Sequence, residues 1–149
     1  MEIERKFLIK EGAFPFRDYP YKDYEQGYLN VKPVVRVRKE GDDYVLTYKG
    51  KGMMVREEYN LPLNKESFEH LITKCDGNII RKRRYFIPLG ELTIELDEFK
   101  EPFAPLILAE VEFPTEAAAS SFTPPEWFGE DVTLNKAYHN ATMSQKKLL

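Results

Sequence analysis

Met1-Glu2-Ile3-Glu4-Arg5-Lys6, followed by Phe7-Leu8-Ile9, decides how this chain is read. In an extended strand, side chains two positions apart share a face. Glu2, Glu4 and Lys6 therefore point one way, and Ile3 and Arg5 the other. Two neighbouring carboxylates repel unless a cation stands between them, and hard divalent cations such as Mg²⁺ favour such an oxygen pair. A lysine beside the pair can hold the anionic ligand that the metal also holds. The stretch predicts a metal-plus-phosphate site that starts at the N-terminus.

Later segments repeat the layout. Val34-Val35-Arg36-Val37-Arg38 sets two guanidiniums against valines, and Leu46-Thr47-Tyr48-Lys49 aligns Thr47 with Lys49. Arg56, Glu58 and Asn60 align in the next segment, and Lys82 and Arg84 in Ile80–Phe86. Thr93, Glu95 and Asp97 oppose Leu92, Ile94 and Leu96, while Glu110 and Glu112 oppose Ala109, Val111 and Phe113. Seven segments thus carry a polar or charged face opposite a largely apolar one. With Gln26-Gly27-Tyr28-Leu29 opening a second strand, eight short strands and few helices imply a mainly antiparallel sheet. Its charged face either meets water or closes inward as a barrel, which also removes the edge strands. Closure leaves the apolar faces outside, for helices to cover.

The chain of 149 residues fits one domain, 1–149, able to bury a core. Ten Phe and nine Tyr argue against disorder. No apolar run approaches the roughly 20 residues of a membrane span, and the mixed-charge N-terminus is not a signal peptide. The single Cys75 cannot form an internal disulfide, and no Cys/His spacing fits structural zinc. A reducing cytoplasm is the simplest location. The net charge of -3 disfavours general nucleic-acid binding. It conceals segregation of basic (Arg36/Arg38, Lys82–Arg84) and acidic (Glu95–Asp97, Glu110–Glu112) clusters, which suits a polyanion carried with its metal.

Between these segments, residues 11–25 are rich in Pro and aromatics and read as an irregular packed connection. Glu40-Gly41-Asp42-Asp43 and Pro88-Leu89-Gly90-Glu91 read as hairpin turns, and Lys49-Gly50-Lys51-Gly52 as a turn into the fifth strand. Residues 64–74 form the clearest helix, capped by Asn64, with a stripe of Phe68, Leu71, Ile72 and Cys75, and stopped by Gly77. Thr115–Ser121 is a second helix, Glu126–Phe128 a short third, and 131–140 an ordered loop or short helix.

In this order the segments resemble the CYTH proteins, also called triphosphate tunnel metalloenzymes. The family signature E-x-E-x-K stands here as Glu2, Glu4 and Lys6. It is followed by QGYL at 26–29, VRVR at 35–38, LTYKG at 46–50 and REE at 56–58. KRRY at 82–85, IELDEF at 94–99, AEVEF at 109–113 and DVTLNKAYHNA at 131–141 complete it. The compact length is similar to the short prokaryotic branch and its inorganic tripolyphosphatases. The resemblance implies an eight-stranded antiparallel closed β-barrel, a tunnel holding a triphosphate along its axis, with a few helices packed outside. It implies Mg²⁺ or Mn²⁺ on Glu2, Glu4, Glu110 and Glu112, with Asp97 close by. It assigns the phosphates to Lys6, Arg36, Arg38, Lys49, Arg56, Lys82 and Arg84, with Lys136 at the mouth. Lys6, Arg56 and Glu58 are the candidate catalytic residues, with Glu58 or a neighbouring acid orienting water. Asn60 and Asn135 stand where relatives carry acids, and Ala137 where arginine is common. Little chain follows the last motif, so a C-terminal helix plugging the tunnel is short or missing.

Inorganic tripolyphosphate is the leading substrate, with thiamine triphosphate and nucleoside triphosphates open. An adenylate cyclase and a non-catalytic polyphosphate-binding module are the alternatives, but binding a polyanion alone requires no carboxylates. Blander readings hold elsewhere. His70 is a surface residue, and His139 structural. Cys75 and Trp127 pack, and Tyr138 and Asn140 order the C-terminal segment. Lys49–Gly52 is not a Walker A loop, which needs Lys-Ser/Thr before a helix.

Overall fold

The structure, a computed structural model, describes residues 1–147. Its strands are β1 (Glu2–Leu8), β2 (Tyr21–Val31), β3 (Val34–Glu40), β4 (Asp43–Lys49), β5 (Val55–Arg56), β6 (Glu58–Leu63), β7 (Asp76–Leu89), β8 (Leu92–Phe99) and β9 (Ile107–Glu112). They join in the spatial order β5-β1-β9-β8-β7-β2-β3-β4-β6. Every pairing is antiparallel. The sheet curls into a nearly closed barrel. Three helices stand beside it: α1 (Lys65–Ile72), α2 (Glu116–Ser121) and α3 (Asn140–Ser144).

Register places the ionic residues on one face. Directly opposed residues in adjacent strands share a face. Glu4 opposes Glu112 and Lys6 opposes Glu110. Glu95 opposes Glu110 on the next strand, and Asp97 opposes Arg84. Lys82 opposes Tyr24, Gln26 opposes Arg38, Arg36 opposes Thr47 and Thr47 opposes Asn60. The polar parity runs around the whole barrel and faces inward.

The opposite parity forms the outer core. Ile94, Leu96, Ala109 and Val111 are fully buried in a cluster with Phe16, Tyr85 and Phe113. Aromatics from the irregular stretches cover it. Trp127 stacks on Phe14 with centroids 4.3 Å apart, and Phe128 meets Phe7 at 4.9 Å. A second cluster joins Tyr28, Val34, Ile80, Phe99 and Leu108, all of inward parity, to Val132 and Met143. It forms an apolar floor at one end of the barrel, beneath α3.

The structure departs from the expectations in four places. The eight strands become nine because the Arg56–Asn60 strand breaks at Glu57. Its first part, β5, pairs with β1, whereas β6 pairs with β4, so the chain changes partner at that residue. The second strand starts at Tyr21 rather than Gln26, because Tyr21–Glu25 pairs with Arg81–Tyr85. The first helix ends at Ile72, and Gly77 lies in β7 instead of stopping it. Gly77 has φ +73, and a Cβ there would sit 2.1 Å from the Ser144 carbonyl oxygen. Residues 126–128 make a turn, not a helix. The other helices follow expectation. Asn64 caps α1 by accepting from the Ser67 amide at 2.7 Å, and Thr115 caps α2 by accepting from the Ala118 amide at 3.0 Å. The C-terminal α3 is short, with five residues.

Candidate active site

The barrel encloses a cavity of about 1140 Å³ lined by side chains of all nine strands and of the C-terminal segment. Two facing walls give it chemical character. On the β1–β9 wall stand Glu2, Glu4, Lys6, Glu110 and Glu112. On the β7–β2–β3–β4 wall stand Lys82, Arg84, Arg38, Arg36 and Lys49. Arg56 and Glu58 border the cavity at the β5–β6 break, and Lys136 reaches it from the 3-10 turn at Lys136–Tyr138.

Asp97 is the exception among the residues that the resemblance implied. It is fully buried behind the wall and does not line the cavity. One oxygen accepts from Arg84 Nε at 2.7 Å and the other from Arg84 Nη2 at 2.8 Å, with Lys82 Nζ in an ion pair 2.8 Å from that second oxygen. Both oxygens are thus engaged, and the carboxylate anchors two bases instead of offering a ligand. Burial opposes its charge, yet Arg84 and Lys82 hold its pKa below the usual aspartate value. Such planar bidentate pairing fixes the guanidinium plane, leaving Arg84 Nη1 to reach Glu95 at 3.1 Å.

The bases differ in how they are held. Lys49 donates to Glu2 at 2.9 Å and stands 3.4 Å from Glu58. Lys6 stands 3.5 Å from Glu110 and donates to the Tyr138 carbonyl at 3.2 Å. Arg38 pairs with Glu40 through Nε at 2.7 Å. The Tyr24 ring lies between Arg38 and Arg84, whose guanidinium carbons are 4.7 and 5.0 Å from its centroid. Arg36 donates to Thr47 at 3.1 Å, while its buried Nε has no partner. A buried guanidinium donor of this kind is costly unless an anion meets it.

The acids are equally strained by enclosure. Burial, then the charge of Glu110, pushes Glu4 up to about 8. Among the described residues the Glu4 carboxylate has no hydrogen bond or ion pair, and Glu112 lies directly opposite it. Burial, with a hydrogen bond to Glu58, raises Glu2 to about 7. Glu58 is held at about 2: burial works against its charge, but the contact with Glu2, the Lys49 charge and a hydrogen bond from Asn60 outweigh it. That bond, Asn60 Nδ2 to Glu58 Oε1, is 2.9 Å, and Asn60 Oδ1 accepts from Thr47 at 2.6 Å. Burial lowers Lys82 to about 7, against the pull of Asp97.

A metal ion fits this donor set by its chemistry. Glu4 opposite Glu112, with Glu2 and Glu110 on the same wall, gathers hard oxygens that repel one another. Among the described residues no three acids already stand clustered as a cage. A small hard cation that keeps waters and takes one or two carboxylates together with phosphate oxygens suits such an open wall.

Reading the sequence alone missed Tyr24, Gln26, Glu95 and Asn140 as cavity residues. Glu95 was aligned with Asp97 in parity, and Gln26 and Tyr28 shared a face, so period two was the available signal. Tyr24 was hidden because 11–25 read as irregular. Asn140 carried no signal, since nothing local places a helix start against a strand 58 residues away. Cys75 packs against Gly27, and burial raises its thiol to about 11. His139 Nε2 lies 2.9 Å from the Thr133 carbonyl, in a structural contact.

The description "CYTH domain" matches residues 1–146. The chain is 40% identical over 148 residues to an inorganic triphosphatase of Nitrosomonas europaea, covering 96% of each. It is 34% identical to an inorganic triphosphatase of Acetivibrio thermocellus, covering 95% of this chain and 92% of that protein. The crystal structure of the inorganic triphosphatase NE1496 superposes with a TM-score of 0.72 at 36% identity, covering 99% of this chain and 96% of that one. With its signature carboxylates on the cavity wall and a match that runs nearly end to end, the chain belongs to the CYTH domain family.

Proposed function

We propose that this chain, as one tunnel domain over 1–149, hydrolyses a phosphoanhydride bond of inorganic tripolyphosphate, using Mg²⁺ or Mn²⁺. The observation that carries the reading is the pair of facing walls, with bases from β7, β3 and β4 opposite carboxylates from β1 and β9. Bases alone would serve an anion-binding module. The acid wall has a purpose only if a cation joins the anion. The inorganic triphosphatases at 40% and 34% identity support the same substrate class.

Glu2, Glu4, Glu110 and Glu112 would hold the cation. When bound, it supplies charge neutralisation and polarisation of phosphate oxygens. The chain's own residues do the rest. Lys6, Arg36, Arg38, Lys49, Lys82 and Arg84 bind phosphate oxygens and stabilise charge on the transferred and leaving groups. Arg56 and Lys136 contact the anion nearer the mouth. Asp97 keeps Lys82 and Arg84 aimed inward. Glu58, fixed by Asn60, accepts a hydrogen bond from the attacking water. Its low pKa makes it an orienting group rather than a strong base. The reaction would take place in a reducing cytoplasm, with a small-molecule substrate and neither nucleic acid nor membrane as partner. Among the described residues no helix is long and apolar enough to cross a membrane.

The test is phosphate release from tripolyphosphate, ATP and thiamine triphosphate, with and without Mg²⁺ or Mn²⁺, alongside a cyclic AMP assay. Metal-dependent release, fastest from tripolyphosphate, is expected. Binding of tripolyphosphate without turnover under every metal condition would leave a non-catalytic module, and cyclic AMP would leave a cyclase.

A further inference from the structure

We propose that Asn140 is a phosphate-binding residue: its side-chain nitrogen donates to an oxygen of the anion in the tunnel while its side-chain oxygen holds Lys82. The proposal rests on the tunnel being a triphosphate site, and it adds a residue from outside the barrel to that site.

The orientation of the amide is fixed by its neighbour. Lys82 Nζ lies 2.9 Å from Asn140 Oδ1. With Nζ also 2.8 Å from the Asp97 carboxylate, Lys82 is the donor here, and the atom facing it is the carbonyl oxygen. Gln26 Nε2 donates to the same oxygen at 3.3 Å and to the Tyr28 hydroxyl oxygen at 2.9 Å. Gln26 is therefore fixed as well, and its Oε1 is left buried without a partner. Flipping either amide would set two donors against each other or two acceptors face to face. With Oδ1 committed, Asn140 Nδ2 points away from Lys82. Asn140 is 8% exposed and lines the cavity. Among the described residues its Nδ2 has no protein partner, and it is not among the fully enclosed orphan atoms. Two N–H donors are thus open to the cavity, beside a lysine that donates to Asn140 and is paired with Asp97. A neutral donor next to a half-committed ammonium suits a phosphate oxygen and adds no further cation to a crowded wall.

A merely structural Asn140 would only start α3 and hold Lys82. Asn140→Asp keeps the acceptor for Lys82 and Gln26 and removes the open N–H groups but adds a charge, so the Asn140 amide resonances, read beside the affinities, separate the two roles. The experiment uses the full chain as wild type, Asn140→Asp and Asn140→Ala. Tripolyphosphate is titrated calorimetrically without divalent ions, each variant is melted, and the side-chain amide ¹⁵N spectrum is followed, with the Asn140 pair assigned by its loss in Asn140→Ala. Asn140→Asp is expected to melt within a few degrees of wild type, yet to bind tripolyphosphate about tenfold or more weakly, as for a lost bond to a charged group. It should also bind more weakly than Asn140→Ala, and the Asn140 NH₂ resonances should move on saturation of the wild type. The proposal is overturned if those resonances stay put while tripolyphosphate binds, or if Asn140→Asp binds as tightly as wild type. Failure of the wild type to bind tripolyphosphate at all would remove the triphosphate reading itself, and this proposal with it.

Discussion

At the residue scale, Glu4 carries the sharpest consequence. Its folded pKa is raised to about 8 by burial and Glu110, above the ordinary glutamate value. The folded state therefore holds a proton that the unfolded chain releases. The stability from this proton is complete below the unfolded value and is lost as pH rises through the folded one. In the metal-free protein the melting temperature should fall between about pH 4.5 and 8. Glu4→Gln, permanently neutral, should flatten that fall, and a melting series from pH 5 to 8.5 checks it. An identical slope in the variant would show that Glu4 is not the titrating group. The same substitution should cut Mg²⁺-dependent phosphate release by orders of magnitude, because a hard ligand loses its charge. For Glu58→Ala the expected loss is mainly in kcat, with KM little changed, since an orienting group acts on the water rather than on the anion. A wild-type kcat would dismiss Glu58 from that role.

At the element scale, the strands were legible because period two is a local property. The inward parity of Glu2-Glu4-Lys6, Arg36-Arg38 and Glu110-Glu112 could be read without any partner strand. Partner choice could not. The break at Glu57 follows from β5 meeting β1 and β6 meeting β4, which no local pattern encodes. Nor did Asp97 announce itself as an anchor, since its parity matches that of Glu95 while its burial depends on Lys82 and Arg84 across the ladder. Gly77 misled for a related reason: a glycine just past a helix usually stops it, but here its left-handed backbone lets β7 begin under α3. Gly77→Ala combines positive φ with a clash against the Ser144 carbonyl. A loss of roughly 1–3 kcal/mol is expected, read by denaturant unfolding. A loss below the error of that measurement would contradict the close approach.

β6 also has a free edge. Gly50 donates to the Glu57 carbonyl at 3.0 Å, which sets the ladder phase so that Asn60 and Pro62 turn their backbone nitrogens away from β4. Proline there has no N–H to offer, a common guard on an edge strand. Tyr59 and Leu61 beside it are 60% and 59% exposed, so the guard matters. Pro62→Val should raise concentration-dependent self-association, measured by light scattering, with little change in melting temperature. An unchanged monomer fraction would deny that the edge is reactive.

At the scale of the whole molecule, stability is divided between an apolar outside and an ionic inside. Facing bases and buried acids leave each other partly compensated, as with Lys49 on Glu2 and Arg84 on Asp97, and partly not, as with Arg36 Nε and Glu4. An anion that meets the uncompensated bases binds the folded state alone, and so must stabilise it by mass action. Saturating tripolyphosphate should raise the melting temperature by several degrees. High salt should weaken the effect less than for a surface site, because enclosed charges are poorly screened.

The Lys6 amide donates to Thr133 Oγ1 at 2.9 Å across a sequence separation of 127 residues, and the Val132 amide returns a bond to the Lys6 carbonyl. The opening strand is clasped by the closing segment. β5 can meet the Glu2–Ile3 end of that strand early, but its Lys6 end waits for residues 132 and 133. A fragment cut short of residue 132 would leave one end of β1, and with it one wall of the reaction chamber, unclasped.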